Sequence, residues 1–245
     1  MLSIKNMSVV IADKKVIDGL DLEVKAGEVH AIMGLNGCGK STLLKAIAGS
    51  YETSVKGKLE FLNQDMLELD SSARAVLGVF MSFQNPVEIP GVNTTYFLKS
   101  AINELRLARG QEPVISPEFM KDLKENIEFL GINKDILKRA INVGFSGGEK
   151  KKSEILQMMM LKPKLMMLDE IDSGLDIDAL KSVANGINKI RDKDSAVILV
   201  THYNRLLEYV KPDKVHILQD GKIIKSGDFS LAKDLEDKGY EDVLK

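Results

Sequence analysis

The nine residues Gly34 to Thr42, GLNGCGKST, constrain the fold of this chain more than any other feature. They have the spacing G-x-x-x-x-G-K-[ST], follow an apolar segment of strand character and precede a segment with helical spacing. Glycines allow backbone N–H groups to surround phosphate oxygens at a helix N-terminus, where the partial positive charge favours an anion. The pattern therefore predicts a strand, a phosphate-binding loop and a helix that begins near Lys40.

Each position of this loop has an expected role in binding a nucleotide. Lys40 is expected to reach the β- and γ-phosphates, and the Ser41 hydroxyl to ligate Mg²⁺. The other positions expected to line the nucleotide are Gly34, Leu35, Asn36, Gly37, Cys38, Gly39 and Thr42.

Polar residues follow three further apolar strands. LMMLDE, residues 165–170, ends in two carboxylates: Asp169 is a candidate Mg²⁺ ligand and Glu170 a candidate general base. Gln84 follows the strand GVFMSF and is a candidate contact for Mg²⁺ and the attacking water, while His202 follows AVILV and is a candidate γ-phosphate contact. Taken singly, an acidic turn, an exposed glutamine and a polar histidine at a strand end are the commoner explanations of these residues.

A second candidate anion site lies at FSGGEKKKSEI, residues 145–155. Ser146 is suited to cap a helix, and Glu149 stands three residues later, as in a capping box. Gly147 and Gly148 leave backbone N–H groups uncovered at the helix start. The residues alone do not say which phosphate this site would bind.

Strands and helices alternate on both sides of a helical block. Residues from about 94 to 161 show apolar residues at three- and four-residue spacing, whereas short apolar strands precede and follow them. We therefore predict an α/β fold with a parallel-sheet core, built from 1–83 and 162–245, and a helical lobe over 84–161.

Composition excludes several classes of protein. The 245 residues include 34 basic and 36 acidic ones, a balance that argues against bulk nucleic acid or an anionic membrane as the main partner. No apolar run approaches the roughly 20 residues of a membrane-spanning helix, and no secretory signal is visible. We expect no membrane insertion and a location in the cytoplasm, or in an organelle such as the plastid stroma after removal of a transit peptide.

Cysteine and histidine usage limits the metal chemistry of the chain. The single cysteine, Cys38, cannot supply the four thiolates that usually hold an iron–sulfur cluster. His30 and His216 lie inside apolar strands and are expected to be packed structural residues, and no local zinc-ligand spacing is present.

The ordered set of motifs resembles the ATP-binding cassette (ABC) ATPases. The set comprises, in chain order, the P-loop (34–42), Gln84, Ser-Gly-Gly-Glu (146–149), the strand that ends in Asp169 and Glu170, SGLD (173–176) and His202. The resemblance implies ATP and Mg²⁺ as cofactors, N-terminal antiparallel strands beside the parallel sheet, and Ser41, Gln84 and Asp169 around the metal. It also implies that two chains face head to tail on binding ATP. Ser146, Gly147, Gly148 and Glu149 would then contact the ATP of the partner, with Asp176 at the interface.

Longer segments are similar to the SufC family, the soluble cassette ATPases of the SUF iron–sulfur assembly system. They are FQNPVEIPGV (83–92), NVGFSGGEKKKSEILQM (142–158) and LDEIDSGLDIDALK (168–181). The similarity implies SufB- and SufD-like scaffold subunits as partners. In many ABC ATPases an aromatic residue in the first strands stacks on adenine, but SVVIADKKVID (8–18) has none, which leaves Ile11 or Val16 as an apolar contact.

Two other classes compete with this interpretation. The same motifs would serve the ATP-hydrolysing subunit of a membrane transporter, although the extended NPVEIPGV favours the SUF assignment. A DNA-repair or chromosome-type cassette protein is disfavoured by the near-neutral charge and by the absence of a coiled-coil or zinc insert.

Overall fold

The computed structural model describes residues 1–50, 54–201 and 204–243, which form two units. The first unit comprises the described parts of Met1–Met81, Lys164–Glu170 and Arg191–Lys245. The second comprises Ser82–Pro163 and Ile171–Ile190.

The strands, numbered in chain order, are β1 (Leu2–Ile11), β2 (Lys14–Val24), β3 (Val29–Met33), β4 (Ser54–Phe61), β5 (Gln64–Asp65), β6 (Val79–Ser82), β7 (Ile89–Asn93), β8 (Ala140–Ile141), β9 (Leu165–Asp169), β10 (Ala196–Val200), β11 (Lys214–Gln219) and β12 (Lys222–Gly227). The helices are α1 (Lys40–Ala48), α2 (Ser71–Leu77), α3 (Thr94–Ala108), α4 (Ser116–Leu130), α5 (Gly147–Leu161), α6 (Ile177–Ile190), α7 (Asn204–Val210) and α8 (Phe229–Val243). A 3₁₀ helix spans Lys134–Lys138.

The first unit contains two sheets. One is four-stranded, in the order β2-β1-β4-β5, and its pairs are antiparallel. Ala12 and Asp13 join β1 to β2 with φ values of 46° and 64°, the positive values that a tight two-residue hairpin needs. The other is six-stranded, in the order β12-β11-β3-β10-β9-β6.

The centre of the six-stranded sheet is parallel. β11, β3, β10 and β9 run in the same direction, and β12 is added antiparallel at one edge. All five residues of β3, β9 and β10 are buried, as expected for parallel strands that are covered on both faces. The predictions of a parallel-sheet α/β core and of N-terminal antiparallel strands are therefore confirmed.

Helix α1 connects the phosphate-loop sequence to the core of the first unit. It begins at Lys40, as predicted, and ends before Gly49, whose φ of 79° suits a left-handed helix terminus. Its apolar face, Leu43, Leu44 and Ile47, is fully buried in a core shared with residues of both sheets.

The second unit is mainly helical. It holds α3 to α6 and the two-stranded ribbon of β7 and β8. A Cβ at Gly186 on α6 would lie 2.4 Å from Cγ2 of Ile155 on α5, so glycine permits the close approach of these helices. Ser182 also donates a 2.7 Å hydrogen bond to the Leu130 carbonyl at the end of α4.

These contacts place α6 in the helical unit, whereas the lobe boundaries predicted from sequence, 84–161, leave it in the core. The apolar spacing of DALKSVANGINKIRD (178–192) predicts this helix but carries no signal of its partners. No sequence pattern predicted helices α2, α7 and α8. Within the described ranges, no helix combines the length and the apolarity needed to cross a bilayer.

Candidate functional site

The predicted phosphate loop lies between β3 and α1 and rests on β11. A Cβ at Gly34 would lie 2.2 Å from the Leu218 carbonyl oxygen, so only glycine fits at the first position of the loop. The Gly221 N–H donates a 3.1 Å hydrogen bond to the Cys38 carbonyl, and Gly39 adopts φ 110°. Backbone contacts with β11 and the turn after it therefore hold both ends of the loop.

The N-terminus of α1 is suited to an anion. Gly39 is its N-cap and has no side chain to satisfy the first backbone N–H groups, and the first turn of this fully described helix contains no acidic residue. Gly37 has φ 80°, and a Cβ there would have no heavy atom within 4 Å. These features fit the phosphates of a nucleotide.

Lys40 is held over the same loop. Its side chain is 4% exposed, and the ammonium group donates to the carbonyls of Gly34 at 2.8 Å and Leu35 at 3.0 Å. The positive charge is thereby fixed at the predicted phosphate site.

Cys38 is a buried residue of the loop. Burial raises the pKa of its thiol, although the nearby Lys40 ammonium acts in the opposite direction. This environment favours a role for Cys38 as a small filler over a role as a reactive thiol, which would need a lowered pKa at the helix N-terminus.

A cavity of about 530 Å³ adjoins the loop. The C-terminal helix contributes Tyr240 to its wall, opposite Leu35, Gly37 and Cys38. α8 includes a break at Gly239, where φ is 77° and ψ is 169°, and burial raises the pKa of the Tyr240 hydroxyl. The sequence contained no signal that α8 would approach the loop.

Asp169 and Glu170 lie at the carboxyl edge of the same sheet. Val200 of β10 pairs with Ile32 on one side and with Asp169 on the other, so the buried carboxylate stands two strands, roughly 10 Å, from the strand that leads into the loop. The Glu170 N–H donates a 2.9 Å hydrogen bond to the Val200 carbonyl, and φ at Glu170 is 45°. Ligands of open α/β sheets bind at this edge. Hydroxyl and carboxylate oxygens, such as those of Ser41 and Asp169, are ligands that suit Mg²⁺.

The second predicted anion site forms the start of α5. Ser146 accepts a 3.3 Å hydrogen bond from the Glu149 N–H, and the Glu149 carboxylate accepts a 2.7 Å bond from the Ser146 N–H. This backbone bond also lowers the pKa of Glu149. The predicted capping box is confirmed, and a Cβ at Gly147 would meet no heavy atom within 4 Å. The helix start is therefore open at Gly147.

Two buried charged residues of α5 hold the segment of Gln84. Lys151 donates to the carbonyls of Phe83 at 3.0 Å and Gln84 at 2.7 Å, and Glu154 accepts a 2.8 Å bond from the Phe83 N–H. Neither Lys151 nor Glu154 belongs to a motif that predicts a role in the site. Their only sequence signal is a pair of opposite charges three residues apart on one helix.

Asp176 and His202 are the remaining site residues predicted from the sequence. The Asp176 carboxylate accepts a 2.8 Å hydrogen bond from the Ala179 N–H at the start of α6, so it caps this helix. The loop, Asp169 and Glu170 belong to the first unit, whereas Gln84, the residues of the capping box and Asp176 belong to the second. His202 lies outside the described residues.

Comparisons with known proteins identify the family of the chain. The family model for ABC transporters matches residues 17–173. The probable ATP-dependent transporter SufC of Escherichia coli (strain K12) is 54% identical over 241 residues, which is 98% of this chain and 97% of that protein. Vegetative protein 296 of Bacillus subtilis (strain 168) is 48% identical over 242 residues, 98% of this chain and 92% of that protein.

Solved structures share the fold at lower identity. A bacterial ABC transporter cassette solved as a dimer has a TM-score of 0.79 at 19% identity, over 94% of this chain and 99% of that one. An ATP-binding subunit of an ABC transporter has a TM-score of 0.80 at 24% identity, over 100% of both chains. With the phosphate loop and its neighbouring carboxylates in place, the chain belongs to the ABC transporter family and is an ATP hydrolase of the ATP-binding cassette type.

Proposed function

We propose that this chain is the Mg²⁺-dependent ATPase subunit of an iron–sulfur assembly system and acts on SufB- and SufD-like scaffold subunits. The observation that carries the proposal is the 54% identity to a SufC protein over 98% of the chain. The single cysteine supports a division of labour in which the cluster forms on partner proteins.

The proposed catalytic roles are those that the motifs imply, and the burial of Lys40 at the loop and of Asp169 at the sheet edge supports them. Lys40 and the first turn of α1 bind the triphosphate, Ser41 and Asp169 hold Mg²⁺, and Glu170 accepts a proton from the attacking water. Mg²⁺ neutralises phosphate charge when bound. Gln84 and His202 are proposed to orient the water and the γ-phosphate.

The open helix start at Gly147 is proposed to bind the ATP of a second chain. Two ATP molecules would then lie between two head-to-tail copies, each held by the loop of one copy and the α5 terminus of the other. Gly147 has room for a side chain within its own chain, which supports a role for this space in contacting another molecule.

Mixing two inactive variants tests this arrangement. Lys40→Ala loses the phosphate contact, and Gly147→Asp places a negative charge where the partner phosphate is expected. An acidic residue in the first turn favours the helix, so Gly147→Asp should remain folded. Equimolar mixing should restore part of the ATPase activity, because one composite site combines the intact loop with the intact α5 terminus.

The matched control is Ser116→Asp, which adds the same charge at the first residue of α4 and should retain full activity. As a second measurement, Glu170→Gln should dimerise in light scattering when MgATP is added. A folded Gly147→Asp variant with normal ATPase activity, or a Glu170→Gln variant that is monomeric with ATP bound, would contradict the assignment.

The proposed scaffold contact is the segment after Gln84. Val87 is 62% exposed, and its carbonyl accepts a 2.7 Å hydrogen bond from the Asn142 side chain. The neighbouring Glu88 pairs with Lys150 of α5 at 2.8 Å. An exposed apolar side chain held in a fixed backbone conformation is suited to a protein contact.

Pull-down experiments test the partner. Val87→Asp should weaken capture of SufB- and SufD-like subunits and retain ATP binding, whereas Leu107→Asp on α3, 53% exposed, should not affect capture. Identification of the endogenous partners distinguishes the alternative, an ATP-hydrolysing transporter subunit: co-purification with membrane-spanning subunits and no scaffold would refute the iron–sulfur role.

A further inference from the structure

A continuous chain of hydrogen bonds connects four polar side chains of the first unit. The Glu28 carboxylate lies 3.0 Å from His30 Nε2, His30 Nδ1 lies 3.0 Å from His216 Nε2, and His216 Nδ1 lies 2.7 Å from Ser226 Oγ. His30 is 0% exposed and His216 is 5% exposed. The chain ends in a groove of about 700 Å³, which Ser226 and His216 line.

The order of donors and acceptors follows from the carboxylate at one end. An ionised Glu28 accepts only, so His30 Nε2 carries a proton and the neutral ring accepts at Nδ1. His216 must then donate from Nε2 and accept at Nδ1, and the Ser226 hydroxyl donates to it. Both histidines are therefore neutral Nε2–H tautomers, and every ring nitrogen has a partner.

The histidine pair joins the two strands that support the phosphate loop. His30 lies on β3 and His216 on the parallel neighbour β11, with the rings 5.0 Å apart. Four residues after His30 the chain reaches Gly34, which packs against the Leu218 carbonyl two residues after His216. A change in the alignment of β3 and β11 would therefore move the first loop position.

We infer that Glu28, His30, His216 and Ser226 form a positioning relay, which sets the alignment of β3 and β11 and thereby the phosphate loop for ATP binding. None of the four is assigned to contact the nucleotide; they act through the backbone of the loop. The relay should affect the KM for ATP more than kcat.

Other charged groups surround the relay. Desolvation lowers the pKa of both histidines, to about 4 for His216, and the Lys214 ammonium acts in the same direction on both. Glu28 and Asp213 favour a charged His30. The charged residues of the groove are Lys5, Asp21, Glu23, Asp213, Lys214 and Asp228. Because burial is the largest cause for both rings, we expect both histidines to stay neutral at pH 7.

The experiment combines nitrogen NMR of the imidazoles with ATPase kinetics on the full chain. At pH 7 both histidines should show the Nε2–H tautomer. His216→Leu removes both hydrogen bonds of the ring. It should raise the KM for ATP at least about tenfold, since one buried hydrogen bond can be worth that ratio, with kcat within about twofold. His216→Gln can donate from its amide at the position of Nε2 and should restore most of the affinity.

Ser226→Ala provides a test that does not depend on removing a buried ring. It should shift the His216 Nδ1 resonance and raise the KM about threefold, as expected for loss of a weaker terminal bond. Ser3 lies in the wall of the same groove, so Ser3→Ala is the matched control. It should change neither the His216 Nδ1 resonance nor the KM for ATP.

Three results would overturn the inference. The first is a cationic ring or an Nδ1–H tautomer at pH 7. The second is a wild-type KM in folded His216→Leu. The third, decisive if His216→Leu does not fold, is a wild-type KM in Ser226→Ala.

Discussion

Arg74 offers a quantitative test of how α1 is held in place. The side chain is 4% exposed and donates to four backbone carbonyls. Two belong to the last turn of α1, Ala46 at 2.8 Å and Ile47 at 2.9 Å, and the others are Leu69 at 2.9 Å and Met66. The positive charge also lies at the end of α1 where the helix dipole is negative.

Replacing Arg74 with Met removes all four donors and retains most of the apolar stem. At roughly 1–1.5 kcal/mol net for each bond, less some rehydration of the freed carbonyls, the free energy of unfolding should fall by about 4 kcal/mol. For a chain of this length, 1 kcal/mol corresponds to roughly 2–4 °C, so the Tm should fall by about 8–16 °C.

Thermal unfolding followed by circular dichroism measures this effect. Arg205→Met, an exposed arginine on α7, is the control and should change the Tm by no more than about 2 °C, since surface substitutions are usually worth under about 0.5 kcal/mol. A Tm for Arg74→Met within 2 °C of the wild type would refute the reasoning, because it would mean that water satisfies the four carbonyls equally well.

Four further predictions address the site and the core. Gly34→Ala should abolish ATP binding in calorimetry while the chain stays folded, because its Cβ would meet the Leu218 carbonyl at 2.2 Å; retained affinity would show that the loop can shift. Cys38 should react with iodoacetamide more slowly than free glutathione at pH 7.5, since burial raises its pKa, and an equal rate would contradict the packing. GTP should compete with ATP within about tenfold, because residues 8–18 offer no aromatic side chain to stack on adenine, a contact worth roughly 1–3 kcal/mol. A thousandfold preference for ATP would indicate another residue that recognises the base. The pKa of His216 is lowered to about 4 from an ordinary 6.5, so between these pH values the unfolded chain binds more protons than the folded chain. The free energy of unfolding should therefore fall by about 3 kcal/mol as the pH drops from 6.5 to 4. An equal fall in His216→Gln would assign the loss to other groups.

Local patterns in the sequence predicted the parts of this protein that neighbouring residues determine. The spacing of GLNGCGKST placed the start of α1 at Lys40, because strand, glycine loop and helix are contiguous along the chain. Ser146 and Glu149 predicted their capping box for the same reason, since both partners lie within one turn. The apolar run LMMLD predicted the buried strand that ends at Asp169.

Contacts between distant segments could not be predicted in this way. Lys151 and Glu154 hold Phe83 and Gln84 from about 70 residues away, and Arg74 donates to Ala46 of α1, from which 28 positions separate it. His30 and His216 were correctly expected to be packed, yet 186 positions separate them, and only the parallel pairing of β3 with β11 brings their rings together. Sequence periodicity records which face of an element is apolar but carries no information about its partner, so the alignment of strands and the buried polar bonds across them were decided by the tertiary structure alone.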